Sequence, residues 1–162
     1  MTLIVGMATI GKVHDVPREF NFEWRIDDFF AIPKEAGKGY SSPSFLLAGE
    51  SWYLKIYPYG KSKKVSDCVA VYLFRELCDP PINLVWSVGL KTSEGKIEQE
   101  RRFTFVFGKE DVGRGNPFLW KRSMLSEQMS KVVPSGVLTI VCSIESYSKS
   151  TTGKTFIYSR KF

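Results

Sequence analysis

Apolar and polar residues alternate along much of this chain, in short blocks separated by Gly, Pro, Asp and Ser. A period of two places successive side chains on opposite faces of an extended backbone, so each block predicts a β-strand rather than a helix. In Ser51 to Tyr57 (SWYLKIY), Trp52, Leu54 and Ile56 share one face and Tyr53, Lys55 and Tyr57 the other; Pro58 and Gly60 then end the run. In Cys68 to Phe74 (CVAVYLF), Val69, Val71 and Leu73 alternate with Ala70, Tyr72 and Phe74, so both faces are apolar. The pattern predicts further strands over Phe20 to Ile26, Pro43 to Leu47, Asn83 to Leu90, Arg101 to Phe107 and Gly136 to Glu145.

Helix is expected only in short pieces, at Trp24 to Phe29, Pro117 to Met124 and Ser126 to Lys131. About seven or eight strands with so little helix cannot form a parallel sheet, whose crossovers are usually helical. The fold class that follows is all-β, two packed antiparallel sheets in a sandwich. The polar, Gly-bearing segments Pro33 to Gly39, Gly60 to Asp67, Lys91 to Lys96 and Gly108 to Pro117 read as exposed loops. The tail after Tyr147 reads as a mobile or loosely docked linker, with Thr155 to Tyr158 the one stretch able to add an edge strand.

The chain has 162 residues and a formal net charge of +6, the size of one domain that needs neither disulfides nor metal to fold. Its longest uncharged stretch, Val132 to Ile144, falls short of the roughly 18 or more apolar residues a spanning helix needs, so no membrane association is expected. The apolar N-terminus MTLIVGMATIG lacks a basic region ahead of it and is not read as a secretory signal. Three cysteines, Cys68, Cys78 and Cys142, show no paired spacing, which points to reduced thiols and a cytoplasmic or nuclear location.

Catalytic chemistry finds little to stand on. His14 is the single histidine and lies outside the strand pattern, so no Ser-His-Asp, Cys-His or zinc site is expected, and no cofactor. Adjacent Asp27 and Asp28 fit a turn in which they cap backbone amides. Gly108 to Gly113 imitates a phosphate loop but lacks its Lys and Ser/Thr. The stretch RRFTFVFG partly matches an RNA-recognition signature through Arg101, Phe103, Phe105 and Val106, yet Arg102, Thr104 and Gly108 do not fit. Basic Lys61, Lys63 and Lys64 keep a nucleic-acid-binding β domain as a rival reading, though a solvated loop accounts for them better.

What remains is binding of another chain. Tyr72 and Phe74 share a strand face opposite the one that supplies core, and Phe103 adds another ring. Surplus aromatic surface on a sheet suits a groove for an extended peptide; equally, the face could pack under a loop, and periodicity does not choose between the two.

Several blocks, in order, carry a family resemblance: Trp24-Arg-Ile26-Asp-Asp-Phe29, Ser42-Pro43-Ser44-Phe45, Trp52-Tyr-Leu54-Lys-Ile56-Tyr57-Pro58-Tyr-Gly60, Val69-Ala-Val71-Tyr72-Leu73, Phe103-Thr-Phe105-Val106-Phe107-Gly108-Lys109 and Gly136-Val-Leu138-Thr139-Ile140-Val-Cys142. Together they resemble the meprin and TRAF-C homology (MATH) domain over residues 20–146, flanked by an N-terminal extension, 1–19, and a tail, 147–162. The likeness is stronger to the substrate-binding domain of speckle-type POZ protein and its MATH-BTB relatives than to the TRAF adaptors. It implies an eight-stranded sandwich that binds short, extended, Ser/Thr-rich motifs of partner proteins, as a substrate adaptor in ubiquitin ligation or as a TRAF-like signalling adaptor.

Carried over by this resemblance, Tyr72 and Phe103 are groove aromatics, Leu84 stands where the family has Phe, and Lys109 and Asp111 fall near a peptide-binding Lys-Asp pair. The family continues with Trp-Gly-Phe, whereas this chain reads Val112-Gly113-Arg114 and has additional residues before Phe118. Replacing that aromatic wall changes which peptide fits, and Arg114 beside Lys109 and Lys121 implies tolerance for acidic or phosphorylated ligands. No BTB region is expected after residue 146, so a cullin link would run only through a region absent here. No trimerising coiled coil is seen either, so a monomer or weak dimer is expected.

Overall fold

Strand dominates, as the period of two requires. The computed structural model describes residues 2–5, 18–47, 49–76, 81–108, 113–147 and 157–160. In chain order the elements are β1 (Thr2–Val5), β2 (Arg18–Ile26), β3 (Tyr40–Ser41), β4 (Phe45–Leu47), β5 (Glu50–Tyr57), β6 (Cys68–Arg75), β7 (Ile82–Lys91), β8 (Ile97–Phe107) and β9 (Gly113–Lys121). Helices α1 (Arg122–Glu127) and α2 (Met129–Val132) follow, then β10 (Leu138–Tyr147) and β11 (Ile157–Arg160).

Two antiparallel sheets form the body. The first has the order β2-β10-β7-β8; the second has β3-β5-β6-β9, with β4 also paired to β5. Register explains why they face each other. Across β5 and β6, Leu54 lies opposite Leu73 and Ile56 opposite Val71; across β10 and β7, Ile140 lies opposite Leu90, Cys142 opposite Val88 and Ile144 opposite Trp86. All of these side chains are fully buried. Each large one contributes roughly 1.5–3 kcal/mol by leaving water. Phe29, Leu125 and Val132, from the short helical turns, are buried with them.

The antiparallel sandwich is therefore as expected, and five local readings are corrected. The helix expected over Trp24 to Phe29 is strand up to Ile26, followed only by a single tight turn, Phe29–Ala31, because the alternation of β2 runs on to Ile26. Pro117 to Lys121 is strand, not helix: β9 is an edge strand, where the N–H that proline lacks need not pair, and helix begins only at Arg122. The second half of the expected Gly108–Pro117 loop, from Gly113, belongs to that same strand. Asp28 occupies the turn after β2 in a left-handed conformation (φ 49°), but its side chain makes no capping hydrogen bond. Finally, Ile157–Arg160 pairs with β1 in a separate two-stranded ribbon instead of extending a main sheet. The expectation of a mobile linker falls on residues 148–156, outside the described residues.

One polar group crosses into the core. Arg75 is 2% exposed and grips Glu50 with two hydrogen bonds, Nε to Oε2 at 2.6 Å and Nη2 to Oε1 at 2.8 Å, while its guanidinium lies 5.8 Å from the Trp52 ring centre. A buried guanidinium is tolerated only when paired in this way.

Candidate functional site

The outer faces of the two sheets differ in kind. On the first sheet the outward residues are mostly small, polar or charged, with Val85, Val106 and Val141 among them, and two ion pairs cross it: Lys91 with Glu23 at 3.1 Å and Arg102 with Glu145 at 3.7 Å. The outward face of the second sheet is aromatic. Register sets Tyr53 opposite Phe74, Lys55 opposite Tyr72 and Tyr57 opposite Ala70, all on the side away from the core. Tyr53 and Phe74 stack with centres 5.1 Å apart and planes 6° apart; Tyr57 and Tyr72 meet edge to face at 5.8 Å. Burial pushes the phenols of Tyr57 and Tyr72 above the ordinary tyrosine value, and for Tyr72 the neighbouring Tyr57 adds to the effect.

The edge strand β9 leaves these rings unfenced. Gly113 lies opposite Phe74 and Gly115 opposite Tyr72. A Cβ on Gly113 would sit 2.7 Å from the Phe74 ring, and one on Gly115 would sit 2.6 Å from Tyr72 Cγ and strike the Val71 carbonyl. The rings thus lean over bare backbone at the rim of the sheet. That rim has no strand on its far side among the described residues.

Behind the rim, side chains of β8 and β9 meet where the edges of the two sheets approach. Phe103 and Phe105 on β8 stack at 5.7 Å with planes 4° apart, Phe103 also lies 5.6 Å from Trp86, and both are half-buried. The Arg114 guanidinium lies 5.9 Å from the Phe105 ring centre. At the other end Trp120 Nε1 donates to the Gln99 carbonyl at 2.9 Å and holds the two edges together.

Of the residues singled out from sequence, Tyr72 stands on the aromatic outer face of one sheet and Phe103 on β8 of the other, half-buried against Trp86 and Phe105. Leu84 requires correction: it is fully buried, because it shares its strand face with Trp86, Val88 and Leu90, and it presents no wall to a ligand. Arg114 lies opposite Leu73, hence on the inward side of β9, with its guanidinium toward Phe105. Lys109, Asp111 and Val112 lie outside the described residues. Sequence reasoning missed Tyr53, Tyr57, Phe105 and the two glycines as parts of this region; the alternating Gly113-Arg-Gly115 was the available signal, once read as strand.

Chemically, this is a surface of rings, bare backbone and an open strand edge. Among the described residues no group of His, Cys, Asp and Glu could hold a metal ion, and no helix is long and apolar enough to cross a membrane. Cys68 and Cys142 are free and buried, and burial pushes the Cys142 thiol up to about 12.

A family model of the MATH domain matches residues 21–144, from β2 to β10. The mouse (Mus musculus) TD and POZ domain-containing protein 3 is 26% identical over 132 residues, covering 78% of this chain. The chain spans about a third of that relative's length, 36%. Among solved structures, Notothenia coriiceps TRAF5 superposes with a TM-score of 0.53 at 15% identity, covering 83% of this chain and 75% of the other, a likeness of fold. The chain belongs to the MATH domain family, a class of protein-interaction modules found in TRAF and POZ-containing adaptors.

Proposed function

We infer that this protein recognises short, extended, Ser/Thr-rich segments of partner proteins by adding them as a strand to the free edge of β9. The observation that carries this reading is the pair Gly113 and Gly115 under Phe74 and Tyr72. An added strand alternates its side chains between two faces. One set would cross the bare backbone onto Tyr72 and Phe74; the other would face Phe103, Phe105 and Arg114. Backbone pairing supplies affinity and the two sets of rings supply selection. Pro117 ends the usable edge, because it has no N–H to offer. Lys109, Asp111 and Val112, which follow β8 in the chain, complete the reading as ligand contacts.

In this role the protein is a substrate adaptor in ubiquitin ligation, acting in the cytoplasm or nucleus with reduced thiols, and it performs no catalysis of its own. The test is a titration of the purified domain with a peptide selected from a library rich in Ser and Thr. Tyr72→Ala and Phe103→Ala should each weaken binding by about 2 kcal/mol or more, with circular dichroism unchanged. Full affinity in both variants would remove these residues from the site.

A further inference from the structure

Backbone pairing is blind to sequence. An open strand edge offers the same hydrogen bonds to any extended chain, and the longer the edge, the larger that common affinity. Strand β9 carries a device that keeps it small. In its ladder with β6, Val71 lies opposite Asn116 and Val69 opposite Trp120, so Ala70 alone opposes Pro117, Phe118 and Leu119. Extra residues of this kind bend the strand that carries them and interrupt its pairing.

The edge is closed at that bend by the groups present there. Pro117 has no N–H. The N–H of Phe118 donates to Asn116 Oδ1 at 2.7 Å, so it is already taken. Successive N–H groups along a strand point to opposite sides, so whichever of these two residues faces the free edge has no N–H to give. Beyond them Leu119 and Trp120 are buried, and Trp120 Nε1 donates to the Gln99 carbonyl at 2.9 Å, which ties this part of β9 to β8.

We propose that Asn116 and Pro117 are specificity-determining residues that end backbone pairing at Asn116, so that a bound chain pairs only along Gly113–Asn116. This rests on the strand-addition reading above and adds how that site selects. With the sequence-blind part of the affinity confined to so short a stretch, discrimination falls to the side chains that meet Tyr72, Phe74 and Phe103. The ligand class is a short extended segment whose flanking residues run on unpaired past Asn116.

The test uses the purified domain and two library-selected peptides of unrelated sequence, each made as a series in which one backbone amide at a time is N-methylated. On the wild type, methylation should weaken binding about tenfold at alternate positions within a stretch as long as Gly113–Asn116 and leave it unchanged outside. The Asn116→Ala/Pro117→Ala double variant, checked for an unchanged melting curve, supplies the N–H that Pro117 lacks and frees that of Phe118. One further ligand position should then become sensitive, and both peptides should bind tighter by a common factor of about three to ten. Sensitivity that runs past this stretch on the wild type overturns the proposal and leaves strand addition standing. An unaltered pattern in the double variant, or a gain confined to one peptide, does the same. If the peptides bind and no methylation matters, or if the library yields no peptide, strand addition itself falls and the stop with it.

Discussion

Gly113 and Gly115 both lie under aromatic rings, yet a methyl group at each position meets different resistance. At Gly113 the nearest atoms all belong to the Phe74 ring, the end of a side chain that can swing away. At Gly115 they include the Val71 carbonyl and the Tyr72 backbone, which cannot. Gly115→Ala should therefore cost roughly 1–3 kcal/mol of stability in urea denaturation, the usual range for overpacking. Gly113→Ala should leave the midpoint within about 0.5 kcal/mol of wild type while weakening peptide binding, because the displaced ring blocks the rim. Equal destabilisation by the two variants would contradict this difference. Tyr72 was legible as an outward ring from alternation alone. Leu84 was misplaced because a family position carries no parity: its burial follows from the run Leu84, Trp86, Val88, Leu90, not from the residue it replaces. Arg114 could be given no face from sequence, because its segment was read as loop, and only as part of β9 does it acquire an inward side.

Strand β6 illustrates how one element serves both the core and the site. Its inward residues, Val71 and Leu73, are fully buried, its outward residues are the site rings, and its last residue, Arg75, is held by Glu50 from β5. Truncating Glu50 to Ala strands a buried guanidinium and should lower stability by about 3–5 kcal/mol. Replacing both partners with apolar residues, Glu50→Leu/Arg75→Met, should recover most of that loss in the same denaturation experiment; failure to recover would mean that the pair itself, not the stranded charge, sets the stability. Most strands were legible from their period. β9 was not, because Gly, Arg, Gly, Asn and Pro carry no hydrophobic alternation; only β6 beside it, with no strand on its other side among the described residues, defines it as an edge. The β1–β11 ribbon joins segments at opposite ends of the chain, and no local pattern announces such a pairing.

For the whole molecule, buried titratable groups set a direction of pH dependence. The folded Cys142 thiol ionises near pH 12 and an unfolded one near about 8.5. Tyr57 and Tyr72 are shifted the same way, upward by burial. In that interval the unfolded chain holds fewer protons than the folded one, so stability present below about pH 8.5 should decline steadily as pH rises toward 12. Thermal melts across this range check it, and Cys142→Val should flatten the slope; an unchanged slope would remove the thiol from the account. The central claim concerns the free edge of β9, and amide hydrogen exchange reads it directly. With a saturating library-selected peptide, exchange should slow at Gly113 to Asn116 and remain unchanged along β2, the edge on the far side of the other sheet. Protection absent from Gly113 to Asn116, or centred on β2, would contradict strand addition at β9.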